Sequence, residues 1–390
     1  LAADRPQTFN QESPIGAVFL DRDGVLNHPV EPLRSAEQMR LLPGVPAALK
    51  RINASTRVAV VVTNQPLIAK GFATESDLES IHGRMEGLLS EEGSYVDRIY
   101  YCPHHPERGH SGERSELKIR CDCRKPKTGL IDRAVAEMNI DPTDSFLVGD
   151  RTVDIQAGES SGIATILVRS GSGGRDGIEA CVPDFIFDDL EEAAEFLVDT
   201  YPRLLAKMDQ LVTGEVVAGR VIAIGGLSRS GKSTLASVLV AALRKRAIPA
   251  RRMNLDDWLV GLSGREGGMG GRDRYPYAQI ADTLNRVLSG ETVHFEAYDP
   301  LSRERKDETD SLRLRQGDVL IVDGVVSLDV AEVRDAASLS IYTEIAESVR
   351  KERMTSFYAQ KGVPDAKFEE LYQTRKVDEE PVVVASRAFA

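Results

Sequence analysis

The chain has 390 residues, of which 42% are hydrophobic and 28% charged, with a formal net charge of -12; it is long enough for two or three globular cores, and two is our reading. The acidic excess opposes nonspecific binding to polyanions, because phosphate-backbone affinity comes from Lys and Arg, and no apolar run reaches the roughly 18 residues of a membrane helix. Four cysteines, three of them crowded between Cys102 and Cys123, do not make a disulfide framework, and Leu1 to Pro14 lacks the basic start and apolar core of a signal peptide, so we expect reduced thiols and a cytoplasmic location.

The first element is Ala17 to Asn27, AVFLDRDGVLN. Val18, Phe19 and Leu20 show no polar alternation, as in a parallel strand covered on both faces, and Gly24 allows a sharp turn at its carboxyl end, the edge where open α/β sheets bind ligands. Asp21 and Asp23 share a face by the two-residue period, so a cation could hold both; a helix cap or an acidic turn is the competing explanation for such a pair taken alone. His28 to Leu42, with Pro29 and Pro32, reads as a loop over the site, followed by a helix over Val45–Asn53. VAVVVTNQ, residues 58–65, is a second buried strand ending in small polar residues. Gly71 to Leu89 reads as a helix capped by Thr74, with Leu78, Ile81, Met85 and Leu88 as its core face.

Cys102, His104, Cys121 and Cys123 form CxH followed by CxC, a donor set suited to closed tetrahedral zinc, with His105 and His110 as alternative imidazoles. A closed site has no open position for chemistry; it would clamp the polar loop from Pro106 to Arg120 and thereby place Arg124 and Lys125. SFLVGDRTVD, residues 145–154, is a third apolar strand, ending in Gly149 and Asp150. Cys181 reads as a buried small hydrophobe. From Asp188 to Val212 a charge-rich helical stretch, interrupted by Pro202, reads as the last helix of the first domain plus a connector.

In this order, DRDGVLN, TNQ, AKGF, YYCPHHPE, CDCRKPKTGL and SFLVGDRTVD resemble the haloacid dehalogenase superfamily, specifically its heptose bisphosphate and histidinol phosphate phosphatase branch, over roughly Ile15 to Arg169. The resemblance selects His104 among the imidazoles. It implies that Asp21 is a nucleophile forming an aspartyl phosphate, that Asp23 protonates the leaving oxygen and then activates water, and that Asp150 with Asp21, and Asp23 beside them, binds Mg²⁺. Thr63, Asn64, Arg124 and Lys125 would grip the phosphate or the rest of the substrate.

RVIAIGGLSRSGKSTLA, residues 220–236, opens the second half with a strand, a glycine loop and a helix start, and fits GxxxxGK[ST] from Gly226 to Ser233 in the context that motif requires. Loop amides around Ser228, Ser230 and Gly231 would cradle phosphates, with Thr234 following. Lys232 would neutralise the β/γ charge and Ser233 would ligate Mg²⁺. Gly261 to Gly271 is glycine-rich enough for a flap. NLDDWL, EAYDPLSRER and DVLIVDGVVSL make residues 220–362 resemble the uridine kinase and phosphoribulokinase group. That resemblance implies Asp256 as the base for the acceptor hydroxyl, Arg303 and Arg305 as substrate contacts, Asp323 as the second Mg²⁺ residue, and Arg350 with Arg353 on one helix face as a lid over ATP.

The expected fold is therefore α/β: two three-layer parallel-sheet domains, a Rossmannoid phosphatase domain over residues 1–205 and a P-loop kinase domain over residues 206–390. The leading functional reading is an Mg²⁺-dependent phosphatase joined to an ATP-dependent kinase, with structural zinc, acting on small phosphorylated sugars, polyols or nucleosides. Polynucleotide end repair, with a 3′-phosphatase and a 5′-kinase, is a second reading that the net acidity opposes. A phosphatase with a non-catalytic nucleotide-sensing domain is a third.

Overall fold

The structure is a computed structural model and describes residues 13–30, 32–176, 182–265, 269–299 and 302–390. Cys181 and part of the glycine-rich stretch, residues 266–268, lie outside the described residues. The chain divides into two compact units, Leu1–Arg203 and Leu204–Ala390.

The first unit is built on strands β1 (Ala17–Leu20), β2 (Val58–Asn64), β3 (Arg98–Cys102), β4 (Phe146–Gly149), β5 (Ala164–Val168) and β6 (Phe185–Phe187), in the order β3-β2-β1-β4-β5-β6. The pairings are parallel, β1 against β2 from Ala17↔Val58 to Leu20↔Val61 and against β4 from Val18↔Phe146 to Leu20↔Val148. Uninterrupted apolar runs suit strands buried on both faces, and β1, β4 and β5 are buried throughout. The carboxyl ends of β1 and β4 are neighbours, which brings Asp21 beside Asp150.

The helices of this unit are α1 (Val45–Asn53), α2 (Glu75–Glu91), α3 (Gly129–Met138), α4 (Thr152–Ser160) and α5 (Leu190–Glu195). Thr74 caps α2: its Oγ1 accepts from the Asp77 amide at 3.1 Å while Asp77 Oδ2 accepts from the Thr74 amide at 2.8 Å. The buried face of α2 is Leu78, Ile81, His82, Met85 and Leu89; Leu89, not Leu88, completes it, and His82 belongs to it. Pro202 does not interrupt the last helix. A π-helical turn over Phe196–Thr200 leads straight into α6 (Tyr201–Leu211), a widened turn that accommodates a proline ring lacking an N–H.

The second unit contains α7 (Gly214–Gly219), β7 (Val221–Gly226), α8 (Lys232–Lys245), β8 (Ala250–Asn254), α9 (Tyr277–Leu288), β9 (Val293–Tyr298), β10 (Arg305–Leu312), β11 (Val319–Asp323), α10 (Ala331–Ala336), β12 (Leu339–Thr343), α11 (Glu347–Gln360), α12 (Asp365–Asp378) and α13 (Glu380–Ala385). Its sheet is parallel in the order β12-β7-β11-β8, and β9 and β10 form a separate antiparallel hairpin that a purely parallel expectation omits. Trp258, Leu255, Ile280, Leu284, Leu320 and Val322 anchor its core.

Candidate active site

At the end of β1 the chain turns on Gly24 (φ 84°), whose amide donates to Asn27 O at 2.9 Å. Asp21, Asp150 and Asp154 are buried, and their ligand oxygens all lie within 4.8 Å of one another. Lys125 reaches into this group: Nζ donates to Asp21 Oδ1 at 2.8 Å, to Asp154 Oδ1 at 2.5 Å and to Val62 O at 2.7 Å. Its backbone is clasped by Asn64, whose Oδ1 accepts from the Lys125 amide at 3.0 Å and whose Nδ2 donates to Lys125 O at 3.0 Å. Asp154 was missed at the sequence level. It follows Asp150 by one helical turn, and its Oδ2 accepts from the Arg151 amide at 3.1 Å at the start of α4.

One ammonium does not balance three buried carboxylates. Burial, and then Asp21, pushes the Asp150 carboxyl up to about 7; burial also pushes Asp154 up, to about 6, although Lys125 opposes the shift. Asp150 Oδ2 accepts from the Ser172 amide at 2.6 Å, whereas Oδ1 is buried without a partner. The carboxylate rests against two glycines: a Cβ at Gly171 would lie 2.1 Å, and one at Gly24 2.5 Å, from Asp150 Oδ2. An orphaned carboxylate oxygen inside an oxygen-only donor set fits a hard divalent cation.

Asp23 does not join this cluster, which corrects its expected place among the metal ligands. Its carboxylate turns to Arg22, a guanidinium 1% exposed that needs a counter-charge, with Nη2 at 3.0 and 2.8 Å from the two oxygens. Asn27 Nδ2 donates to Asp23 Oδ1 at 2.9 Å and Gln65 Nε2 to Oδ2 at 3.0 Å. Burial opposes ionisation of Asp23, yet Arg22, Asn27 and Gln65 outweigh it and hold the carboxyl below its ordinary value. Arg22 Nη1 also donates to His82 Nε2 at 3.2 Å, and burial followed by the Arg22 charge keeps that imidazole neutral, down to about 3. Thr63 Oγ1 accepts from Gln65 Nε2 at 2.9 Å. Thr63 and Asn64 thus support Asp23 and Lys125 in this state. Arg124 directs Nη1 toward His104 O at 3.4 Å.

The second cluster is Cys102, His104, Cys121 and Cys123, whose donor atoms also lie within 4.8 Å of one another. Sulfur–sulfur separations are 3.1, 3.3 and 3.6 Å, and Cys123 Sγ is 3.2 Å from His104 Nδ1. Tetrahedral ligands around zinc stand about 3.5–3.8 Å apart for 2.0–2.3 Å bonds, so a soft-donor set of nearly the right span is already assembled, with His104 rather than His105 or His110 in it.

In the second unit Gly226 (φ 139°) and Gly231 (φ 99°) bound a loop whose other left-handed residue is Arg229 (φ 65°). Lys232 is buried, and its Nζ donates to Leu227 O at 2.7 Å. Ser230 Oγ pairs with Thr343 Oγ1 at 2.5 Å, Ser228 and Thr234 are half-buried, and Ser233 Oγ donates to Asp323 Oδ2 at 3.3 Å. Asp323 is gripped by Arg252, at 2.6 and 2.7 Å, a partner that sequence reasoning missed. Asp256 Oδ1 accepts from Tyr275 OH at 2.8 Å, and the neighbouring Asp257 is pushed up to about 7 by burial and then by Asp256. Arg305 Nη2 donates to Trp258 O at 2.9 Å, and the Arg303 amide to Asp299 O at 2.8 Å. The expected lid pair does not form a shared free face. Arg350 is buried against Glu347, Glu380 and Tyr372, while Arg353 is exposed; a helical spacing of three aligns two side chains without deciding that both face solvent.

A family model described as HAD-hydrolase-like matches residues 122–193. The D-glycero-beta-D-manno-heptose-1,7-bisphosphate 7-phosphatase of Haemophilus ducreyi is 41% identical over 157 residues, covering 40% of this chain and 84% of that protein. The enzyme of the same name from Haemophilus influenzae is 39% identical over 176 residues, covering 44% and 93%. Among solved structures, D,D-heptose 1,7-bisphosphate phosphatase from B. bronchiseptica, complexed with magnesium and phosphate, is 31% identical over 47% of this chain and 98% of its own, with a TM-score of 0.41. A possible uridine kinase from Bacillus stearothermophilus is 21% identical over 46% and 94%, with a TM-score of 0.34. With that identity over most of the length of two curated enzymes, the chain belongs, through its N-terminal half, to the heptose-bisphosphate phosphatase family of HAD-like hydrolases.

Proposed function

We propose that the first unit is a divalent-cation-dependent phosphatase of a sugar phosphate or bisphosphate of heptose-like size, and that the second is an ATP-dependent kinase of a small hydroxylated metabolite. The observation carrying the phosphatase reading is the group Asp21, Asp150, Asp154 and Lys125 at the adjoining ends of β1 and β4. Lys125 occupies Asp21 Oδ1, which leaves Oδ2 as the attacking atom. In the first half-reaction Oδ2 bonds to phosphorus, the ester P–O bond breaks, and Asp23 gives its proton to the leaving oxygen. In the second, Asp23 takes a proton from water as the water oxygen displaces Asp21, freeing inorganic phosphate. Arg22, Asn27 and Gln65 favour the ionised form of Asp23 that the second half-reaction requires, so Asp23 takes up a proton from solvent before it serves the first. Asp21, Asp150 and Asp154 would hold Mg²⁺, which when bound supplies positive charge against the phosphate oxygens. The Cys102, His104, Cys121, Cys123 set would hold zinc with no free position, a structural role.

The kinase reading is supported by the loop Gly226–Ser233, by Lys232, and by Ser233 with Asp323 beneath it. Phosphoryl transfer here depends on position and charge and needs no covalent enzyme intermediate. The deciding experiment measures phosphate release and ADP formation separately over a panel of sugar phosphates and polyols. Asp21→Asn should abolish phosphate release and leave ADP formation, and Lys232→Ala the converse; phosphatase turnover surviving in Asp21→Asn would refute the nucleophile.

A further inference from the structure

The buried face of α2 is apolar at Leu78, Ile81, Met85 and Leu89 and carries one imidazole, His82, which is 8% exposed. Its Nε2 stands 3.2 Å from Arg22 Nη1, and its ring meets that of Tyr101, from β3, edge-on at 5.9 Å. A guanidinium has N–H donors and no acceptor, so His82 has to accept through the Nε2 lone pair, as a neutral imidazole protonated at Nδ1. Every edge of the Arg22 fork is then assigned. Nη1 donates to His82, Nη2 to Gln65 Oε1 at 3.0 Å and to the two oxygens of Asp23 at 3.0 and 2.8 Å, and Nε to Asp23 Oδ1 at 3.3 Å. Gln65 Nε2 donates both to Thr63 Oγ1 and to Asp23 Oδ2. Of these groups Asp23 is the one that opens outward, its side chain 33% exposed against 1% for that of Arg22, while Thr63 and Gln65 are buried. His82 is thus linked to the carboxylate by hydrogen bonds that run through Arg22.

We propose that His82 is a positioning residue for the phosphatase reaction: by fixing the Arg22 fork it fixes the Asp23 carboxylate in the orientation from which Asp23 exchanges its proton with the leaving oxygen and with water. The proposal rests on the reading of Asp23 as the acid–base group given above. The reason lies in the shape of the donor. The guanidinium is planar and its N–H directions are rigid with respect to one another, so a bond made at Nη1 sets the tilt of the plane and with it the angle at which Nη2 and Nε meet Asp23. Arg22 and Asp23 are sequence neighbours, and neighbouring side chains on an extended backbone leave it on opposite faces; the acceptors from other elements that keep Arg22 folded back on Asp23 are His82 and Gln65. Without an acceptor at Nη1, a buried N–H of a charged group is left unpaired, and the guanidinium recovers a bond by tilting, which carries the carboxylate with it. Proton transfer depends on hydrogen-bond reach to the reacting oxygen, so the cost falls on the acid–base step. A residue serving the core alone at this place would need bulk and no lone pair.

The test uses the full chain with Mg²⁺ and two probes at saturation, phenyl phosphate and p-nitrophenyl phosphate. They differ in how much the leaving oxygen needs a proton, phenolate being the more basic and nitrophenolate leaving without help. Release of the phenol in the first turnover is followed by rapid quench, so that the first half-reaction alone is read. His82→Leu, which keeps bulk and removes the acceptor, should slow phenyl phosphate by about tenfold or more and p-nitrophenyl phosphate by less than about threefold, with the far-UV circular dichroism of the parent. His82→Gln, whose amide oxygen reaches about as far as Nε2, should return phenyl phosphate to within about threefold of the parent. Where His82→Leu does not fold, His82→Asn, whose amide stops short of Arg22, carries the same expectation. Equal loss on both probes, no loss on either, or no recovery in His82→Gln overturns the positioning role. Asp23→Asn tests the reading beneath it and should show the same bias between probes. Absence of that bias in Asp23→Asn overturns the acid–base assignment and the positioning role with it, whereas bias in Asp23→Asn and none in His82→Leu overturns the positioning role alone.

Discussion

Lys125→Met removes an ammonium held between Asp21 and Asp154 at 2.8 and 2.5 Å, with the lysine side chain 2% exposed and the two carboxylates 9% and 1%. At an effective dielectric constant of 20, one unit pair at that separation is worth about 6 kcal/mol, but the lysine also gives up its hydration, and deleting one member of a buried pair costs about 3–5 kcal/mol. We therefore expect the first unit to lose about 3–5 kcal/mol at pH 7.5 in EDTA. Lys125 is held above its ordinary value, so its own contribution is complete at every pH below 10 or so. The pH dependence of the deficit comes from the acids. Asp150 and Asp154, raised to about 7 and about 6, carry a penalty when ionised that is relieved as pH falls through those values, and once they are neutral there is less charge for Lys125 to compensate. The deficit should shrink between pH 7.5 and 5.5, and Mg²⁺ at pH 7.5 should reduce it by supplying the missing charge. Urea unfolding followed by far-UV circular dichroism measures this. A deficit under about 1 kcal/mol at pH 7.5, or one equal at both pH values, refutes the reasoning.

Because Asp150 must lose its proton to bind a cation, apparent Mg²⁺ affinity should fall by up to about tenfold per unit as pH drops below about 7. Calorimetry in buffers of different ionisation enthalpy should record proton release on binding near that pH, and no release would contradict the shift. Zinc should be present at about one equivalent by elemental analysis, and Cys121→Ser with Cys123→Ser should remove it; unchanged metal content would rule out the site. Gly171→Ala puts a Cβ 2.1 Å from Asp150 Oδ2 and 2.8 Å from Gly24 Cα, so Mg²⁺ affinity should drop about tenfold or more as Asp150 is displaced, with affinity equal to the parent counting against that placement.

Strand ends were legible wherever an apolar run stopped at an acid or a small polar residue, as at Asp21, Thr63 and Asp150, because burial on both faces leaves a one-dimensional signature. Clustered soft ligands and the glycine loop were legible for the same reason: their spacing is local. What stayed hidden is what tertiary packing assembles. Arg22, Gln65 and His82 come from separate elements and meet only in the fold, and the same holds for Arg252 with Asp323 and Tyr275 with Asp256. Asp154 had a local signal, one helical turn after Asp150 and three residues after Arg151, that periodicity arguments about the strand passed over. Arg350 shows the limit of spacing: helical period aligns it with Arg353, but the ion pairs that bury it are made by Glu380, thirty residues along the chain.

The two-way clasp between the Asn64 side chain and the Lys125 backbone has the form of one extra rung added to the sheet beyond the end of β2. Upstream of that rung, Cys102 and His104 meet Cys121 and Cys123 and close the base of the segment between them. The consequence is a division of labour along the chain. Leu117 packs on Leu67, Ile68 and Leu78 and the Arg114 amide donates to Ala69 O, so the part of residues 106–120 free to vary is the exposed stretch before Arg114, and both ends of the segment are held before the chain reaches Lys125. A change confined to the exposed part of that segment therefore leaves the charge arrangement around Asp21 in place.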